Sequence, residues 1–400
     1  MRDDELQVLG TTTGTDSHKG WIKAGVSMVV LAVLIVAAAV VYQYVLRSKT
    51  STLSGDTTII PELQQAVDSL LNDELETIDG QQGQAIVMDV QTGQILAMAG
   101  LERRFDGKFQ PCNNFSYQQE LGTAMISAAV LALLETGEVK MTDEVDTGNG
   151  IWEVDDGDVL DHNWRDGGYG KITLERAFEV SSNIAVTKTV RKTFNGRERL
   201  YFDLLDKMSF GQPDSITGLV GLKPLVASSQ NDSLGAKRRL LWNAIGYERK
   251  IAPIQALTFY NAIANNGKMV KPMLKKRETE VINEQIASKE NIAEMQRLLY
   301  ESVRDGLGKK AALPDVAVAG KTGTIMVKEI DSIQEYHLMF CGYFPAEAPK
   351  YSIIVSLNKL GLPASGGGMA GVLFHDIAEW MTTNNLHTSY EGGGEGILNY

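Results

Sequence analysis

The chain has 400 residues, which is enough for one large domain or two ordinary ones. Hydrophobic residues make up 44% and charged residues 22%, as in ordinary globular proteins. A net charge of −12 argues against binding to a phosphate backbone, because such binding requires basic surfaces. The sequence therefore predicts a globular protein without a nucleic-acid partner.

Metal and disulfide chemistry find little support in the sequence. Cys112 and Cys341 are too few for a disulfide framework. They form either one bridge in an oxidising compartment or two small apolar contacts. The histidines follow no spacing typical of metal ligands, and no nucleotide or flavin motif is present. We therefore expect no metal ion and no cofactor.

The first strong feature along the chain is an uncharged apolar run over residues 24–46, which follows a short polar tail over residues 1–23. The run contains no proline, and about 20 helical residues match the hydrocarbon thickness of a bilayer. Tyr42 and Tyr44 near its end suit a membrane interface. The run predicts a transmembrane anchor, followed by a polar linker over residues 47–60.

A cleaved signal peptide is the competing interpretation of this run. Ala37, Ala38 and Ala39 resemble a small-residue cleavage site. These alanines lie inside the apolar run, and further apolar residues continue it, which favours an uncleaved anchor. Lysines and arginines are almost balanced at its two ends, so the positive-inside rule does not settle the orientation.

One domain is predicted over residues 61–385, followed by a flexible tail over residues 386–400. Apolar residues with helical or alternating periods set its elements. One expected helix begins at Pro61, and four others cover residues 123–134, 174–190, 251–266 and 369–381. One expected pair of strands forms a hairpin over residues 85–98, and three further strands cover residues 317–320, 338–344 and 351–357. Hairpins at both ends with helices between them predict an α+β fold, with one central antiparallel sheet flanked by helices.

Lys321-Thr322-Gly323-Thr324 is the first motif that carries chemistry. In serine acyl-transfer enzymes a Lys-Thr-Gly segment lies on an edge strand beside the substrate cleft. The lysine supplies positive charge, the threonine hydroxyl binds a substrate carboxylate, and the glycine lets substrate approach the backbone. A phosphate loop is excluded because Asp315 stands where its first glycine belongs.

Ser181-Ser182-Asn183 is the second motif, of the Ser-x-Asn type. It lies early in the helix predicted over residues 174–190, where a hydroxyl and an amide can project into a cleft. The same residue types are typical of a helix cap. Alone, this triplet is therefore weak, and its surroundings give it weight.

These surroundings resemble the transpeptidase domain of penicillin-binding proteins, and most closely the class B branch of septal and elongation transpeptidases. The resemblance covers about residues 62–382. The segments that carry it are AIVMDVQTGQILAMAG (85–100), GGYGKITLERAFEVSSNIAVTK (167–188), IGYERKIAPIQALTFYNAIANNGKMVKP (245–272), AGKTGT (319–324) and FCGYFPAEAPKY (340–351). It implies the penicillin-binding, β-lactamase-like fold and a role in peptidoglycan assembly.

The resemblance also implies where the protein acts and with what. With the predicted anchor, it implies a single-pass protein of the bacterial cell (inner) membrane whose domain lies on the extracytoplasmic, periplasmic side. The partners that it implies are peptidoglycan stem peptides or cell-wall assembly proteins.

The nucleophile box is where the sequence departs from the family. There a Pro-Gly-Ser-x-x-Lys segment opens the central helix; its serine attacks the D-Ala-D-Ala carbonyl or a β-lactam ring, and its lysine takes the proton. Here Thr123 stands at the serine position and Ile126 at the lysine position. Ile126 cannot titrate, and loss of such a pair costs on the order of 10⁶ in turnover.

A second Ser-x-x-Lys pattern, at Ser356 and Lys359, does not replace the lost box. It follows the Lys-Thr-Gly motif and falls at the end of a predicted strand. It therefore cannot open the central helix, and we interpret it as a chance match.

The leading hypothesis is a membrane-anchored, catalytically inactive relative of the transpeptidases that acts as a binding or scaffold protein. Ser181, Asn183 and Lys321 would remain from the catalytic set, and residues 322–324 would line the substrate strand. The alternative is a slow D,D-transpeptidase or carboxypeptidase in which Thr123 attacks and Lys321 is the base. A β-lactam sensor is disfavoured because sensing in this superfamily also requires acylation.

Overall fold

The computed structural model describes residues 56–155, 157–216, 233–330, 333–384 and 386. The anchor predicted over residues 24–46 and the tails lie outside these ranges, apart from residue 386. Within the described ranges, no helix has the length and apolar character needed to cross a bilayer. The elements below belong to the compact unit that begins at Thr58.

A six-stranded antiparallel sheet forms the centre of this unit. Six strands of the unit form this sheet, and the others pair in two-stranded sheets. All described strands, in chain order, are β1 (Gly80–Asp89), β2 (Ile95–Arg103), β3 (Phe109–Pro111), β4 (Gln119–Glu120), β5 (Glu144–Asp146), β6 (Ile151–Val154), β7 (Gly157–Leu160), β8 (Lys171–Thr173), β9 (Lys250–Ile251), β10 (Met269–Val270), β11 (Val281–Asn283), β12 (Ala319–Ile330), β13 (Ile333–Phe344) and β14 (Tyr351–Leu360). The central order is β12-β13-β14-β1-β2-β3. The predicted architecture, with hairpins from both ends of the domain in one antiparallel sheet, is therefore confirmed.

The central strands are apolar on both faces because helices cover both. Along β1, Ile86 and Met88 contribute to one hydrophobic core, and Ala85 and Val87 contribute to the other. This alternation follows from the two-residue period of a strand. The sheet therefore separates two cores.

Nine α-helices are described in this part of the chain. They are α1 (Pro61–Thr77), α2 (Ile126–Glu135), α3 (Leu174–Glu179), α4 (Asn183–Phe194), α5 (Glu198–Lys207), α6 (Ser233–Ala244), α7 (Pro253–Ala264), α8 (Lys289–Arg304) and α9 (Gly371–Thr383). Helices α1 and α9 pack on one face of the sheet, and α2 and α7 lie in the core on the other face. The α2 helix is buried almost all round, as its apolar sequence predicts.

The single helix predicted over residues 174–190 is wrong. The chain breaks between α3 and α4, where Ser181 has a φ of +52°. The Ser181 amide donates to the Phe178 carbonyl at 3.2 Å and the Ser182 amide to the Ala177 carbonyl at 2.8 Å, which is the Schellman pattern that ends a helix. The Ser182 hydroxyl then accepts from the Ala185 amide and begins α4.

Two other predicted helices begin later than expected. A 3₁₀ turn over Gly122–Met125 precedes α2, so Thr123 lies in that turn. Ile251 belongs to β9 and pairs with Gln119, and the following helix begins at Pro253, whose ring suits a first helical position.

Candidate active site

The Lys-Thr-Gly motif lies on β12, which is one of the two edge strands of the described sheet, as predicted. The turn that opens α2 packs directly against it. A Cβ atom added at Gly323 would lie 2.6 Å from the Leu121 carbonyl oxygen, and one added at Gly122 would lie 2.6 Å from the Thr324 carbonyl oxygen. Both close approaches require glycine, so these two glycines bring Thr123 beside the strand.

Lys321 lies at the bottom of this site and is completely buried. Its amine donates to the Ser181 hydroxyl and, at 3.3 Å, to the Thr322 carbonyl oxygen. The Phe178 ring lies 5.7 Å away. Burial lowers the Lys321 pKa to about 7, so near neutral pH a large fraction of the amine is uncharged. The structure thus brings together two motifs that lie far apart in sequence.

Thr123 also contacts the Thr322 carbonyl. Its hydroxyl donates to that oxygen at 3.1 Å. A peptide carbonyl is too weakly basic to remove a hydroxyl proton, so this contact does not activate Thr123. Thr123 and Lys321 therefore donate to the same oxygen, and the amine's other partner is Ser181.

Ile126 is completely buried, and it belongs to the hydrophobic core on the α2 side of the sheet. Ile126, at the position where the family that this chain resembles has its basic lysine, therefore contributes to core packing. The opening of α2 therefore carries no titratable side chain at either position, and the nearby amine belongs to Lys321 on β12.

Ser182 and Asn183 interact with the end of β7. Ser182 donates to both carboxylate oxygens of Asp161, at 3.0 and 2.9 Å. The Asn183 amide nitrogen donates to the Leu160 carbonyl at 2.9 Å. Its amide oxygen is buried and has no hydrogen-bond partner among the described residues. Of the two interpretations of this motif, capping applies to Ser182, whereas Ser181 contacts Lys321.

A glycine-rich segment before α9 packs against the Lys-Thr-Gly part of β12. The Gly366 amide donates to the Thr324 hydroxyl at 2.9 Å. A Cβ atom at Gly366 would lie 2.3 Å from the Gly323 carbonyl oxygen, and one at Gly367 would lie 3.2 Å from a Thr322 methyl group. Sequence reasoning missed these glycines and Asp161; the run of three glycines was the available signal for the former.

The second Ser-x-x-Lys pattern lies on β14 and not at the opening of α2. The Ser356 hydroxyl and a His337 ring nitrogen are 2.8 Å apart, and the other ring nitrogen is 2.8 Å from the Glu120 carbonyl oxygen. Because a carbonyl only accepts, His337 donates from Nδ1, and Ser356 donates to Nε2. These contacts hold a neutral histidine and form no nucleophile for the cleft.

One cluster of carboxylates among the described residues has a spacing that suits a cation. Glu175, Glu179 and Glu301 have oxygens within 4.8 Å of one another. Arg297 donates to Glu175 at 2.6 Å and to Glu301 at 2.7 Å. Arg176 pairs with Glu179 at 2.5 Å, so two arginines offset much of this charge and the cluster is an ion-pair network between α3 and α8. Elsewhere, Cys112 and Cys341 are both free thiols.

Comparisons with known proteins agree with this geometry. The family model described as the penicillin binding protein transpeptidase domain matches residues 83–379. Penicillin-binding protein PbpB of Mycobacterium tuberculosis is 27% identical over 355 residues, covering 78% of this chain and 50% of that protein. The peptidoglycan D,D-transpeptidase FtsI of Escherichia coli K12 is 25% identical over 360 residues, covering 84% of this chain and 58% of that protein. The chain thus spans about half the length of these relatives.

A solved structure shows the same fold. The transpeptidase domain of Burkholderia pseudomallei penicillin-binding protein 3 superposes with a TM-score of 0.70 at 23% identity, covering 83% of this chain and 97% of that one. Because the family model matches most of the chain, the protein belongs to the penicillin-binding protein transpeptidase family, among relatives of the class B type that the sequence indicated.

Proposed function

We propose that this chain is a non-catalytic penicillin-binding protein homologue that binds peptidoglycan stem peptides or cell-wall assembly proteins. The observation that carries the proposal is the opening of α2. The Thr123 hydroxyl donates to the Thr322 carbonyl, and Ile126 is buried in the core. Neither group supplies the base that serine acyl transfer requires.

Ligand binding is supported by what the cleft retains. Lys321 and Thr322 lie on an edge strand, where an extended peptide can pair with the backbone. Lys321 is a buried amine beside neutral oxygen atoms, so a ligand carboxylate would supply the missing opposite charge. The unpartnered Asn183 oxygen would accept from a ligand amide. A stem peptide ending in D-Ala-D-Ala carries both groups.

The binding part of the proposal is tested by calorimetry. The full chain should bind a synthetic stem peptide ending in D-Ala-D-Ala, and Lys321→Ala should remove most of that binding. The same peptide with an amidated terminus is the matched control and should bind weakly. Equal affinity for the acid and the amide would overturn the carboxylate assignment.

The inactive part is tested by labelling with a fluorescent penicillin. We expect no covalent label on the full chain under conditions in which a competent penicillin-binding protein is labelled completely. A label that disappears in Thr123→Ala would overturn the proposal and establish acyl transfer.

A slow D,D-transpeptidase or carboxypeptidase is the second candidate. One observation favours it: Thr123 and Lys321 donate to the same carbonyl oxygen, at 3.1 and 3.3 Å. The Lys321 pKa of about 7 would provide an uncharged amine as the base if the hydroxyl turned toward it. Release of D-Ala from the stem peptide, lost in both Thr123→Ala and Lys321→Ala, would establish this activity; no release over long incubation excludes it.

The location follows from the sequence and belongs to the same proposal. Residues 24–46 would anchor the chain once in the cell membrane, residues 47–60 would link the anchor to the domain, and the domain would lie on the extracytoplasmic side. The full chain should sediment with membranes and be digested by protease added to spheroplasts. Protection of the domain in intact spheroplasts would contradict this orientation.

A further inference from the structure

Asp161 is a buried carboxylate with no role in the proposed ligand contacts. It directly follows β7 and is completely inaccessible to solvent. Its oxygens accept from the Ser182 hydroxyl at 3.0 and 2.9 Å and from the Ile184 amide at 3.1 Å. A buried carboxylate is costly unless it is hydrogen-bonded, so these contacts fix its place at the start of α4.

The contacts of this segment surround Ser181, which contacts Lys321, and Asn183, to which the proposed function assigns a ligand contact. Leu160, immediately before Asp161, accepts from the Asn183 amide nitrogen at 2.9 Å. Ser182 transmits the contact into α4, because its hydroxyl also accepts from the Ala185 amide at 3.1 Å. The end of β7 therefore holds three consecutive residues, 182 to 184.

Ser181 needs such support. Its φ of +52° lies in the left-handed region, which is unfavourable for a residue with a Cβ atom and persists where neighbouring contacts enforce it. The bonds from α3 hold its N-terminal side, and the Asp161–Ser182 contact holds its C-terminal side. In this conformation its hydroxyl accepts from Lys321.

We propose that Asp161 is a positioning residue of the ligand site: it holds the turn that directs the Ser181 hydroxyl to Lys321 and the Asn183 amide to the cleft. A carboxylate at the N-terminus of the 12-residue α4 helix is also favoured by the helix dipole. The inference rests on the proposed function, since it assigns this turn to binding of the same carboxylate-ended peptide.

The alternative is that Asp161 only caps α4, and the chain offers a matched control. Asp89 closes the β1–β2 turn by accepting from the Gln91 amide at 3.1 Å, the Thr92 amide at 2.8 Å and the Thr92 hydroxyl at 2.6 Å. It has the same side chain and the same kinds of donor. Asp89→Asn therefore reports what loss of such a contact does outside the motif.

Peptide binding to the full chain separates the two roles. Asp161→Asn should weaken binding of the D-Ala-D-Ala peptide about tenfold, the effect of one lost bond to a charged group, whereas Asp89→Asn should change it less than about twofold. In a Ser181→Ala, Asn183→Ala background, Asp161→Asn should have no further effect. Equal effects of the two aspartate variants, or an undiminished effect in that background, would overturn the assignment.

A second readout needs no peptide, so it decides the inference even if the proposed function fails. The side-chain NMR signal of Lys321 should shift in the same direction in Asp161→Asn and in Ser181→Ala. Ser182→Ala breaks the same contact without changing charge and should act likewise. An unmoved Lys321 signal in Ser182→Ala would show that Asp161 does no more than cap α4.

Discussion

At the scale of one residue, the proposed function makes Lys321 couple stability to ligand binding. Lys321 is completely buried, and its contacts described above are to a hydroxyl and a carbonyl. Burial therefore disfavours its charged form and lowers its pKa to about 7. Such a group weakens the fold, and the carboxylate of the proposed ligand would supply the opposite charge.

Lys321→Met should therefore stabilise the fold. The folded-state pKa, about 7, lies below the ordinary lysine value of 10.5, so the unfolded chain holds more protons between these two pH values. Wild-type stability should rise with pH across this window, and the variant should lose that rise. At pH 7 we expect a gain of about 2 kcal/mol, measured by urea unfolding. An unchanged or lower stability at pH 7 would contradict the assigned burial cost.

His337 should have a pH dependence in the acid range. Burial lowers its pKa from 6.5 to about 4, and its neutral form donates to Glu120 and accepts from Ser356. The unfolded chain binds the proton more readily, so stability is fully present above pH 6.5 and is lost as pH falls through 4. The loss should be on the order of 3 kcal/mol. His337→Gln should flatten the urea-unfolding profile over this range; a profile as steep as that of wild type would exclude His337 as its source.

At the scale of elements, the prediction of a single helix failed because of the capping geometry between α3 and α4. The period of apolar residues predicted one helix over residues 174–190, and the chain is helical on both sides of the break, in α3 and α4. Periodicity does not report φ, and a serine rarely occupies the left-handed position that ends α3. Asp161 was missed because its role depends on β7 meeting α4, which no local pattern encodes.

The contact between α1 and α9 leads us to predict a pH dependence of stability near neutral pH. Burial and the Asp376 carboxylate raise the Glu74 pKa from 4.5 to about 7. The fold therefore favours protonated Glu74: its contribution is present below pH 4.5 and is lost as pH rises through 7. Glu74→Gln should gain about 1 kcal/mol at pH 8, allowing for solvent screening.

The matched control for Glu74 lies on the same helix. Asp73 is exposed, and Asp73→Asn should change the unfolding free energy at pH 8 by less than about 0.5 kcal/mol. Equal gains from the two variants would show that the net charge of α1, and not the half-buried pair of Glu74 and Asp376, sets the effect.

At the scale of the whole molecule, the sheet explains why distant motifs meet. Pairing of β1 with β14 joins the two ends of the domain, and β12 becomes the edge strand against which the opening of α2 packs. The sequence predicted this architecture and the position of the Lys-Thr-Gly motif on an edge strand, because its motifs are long and ordered. It could not predict that Thr123 donates to the Thr322 carbonyl, since this contact joins residues 199 positions apart.

The central claim is that this cleft binds but does not form an acyl-enzyme, and intact-mass spectrometry after prolonged incubation with a penicillin tests it most directly. The account predicts an unmodified mass for the wild-type chain. A Thr123→Ser, Ile126→Lys variant restores the missing serine and lysine, and its mass is compared with that of the wild type for a gain of penicillin adduct. A penicillin adduct on wild-type Thr123 would contradict the claim and make the protein a slow acyl-transfer enzyme.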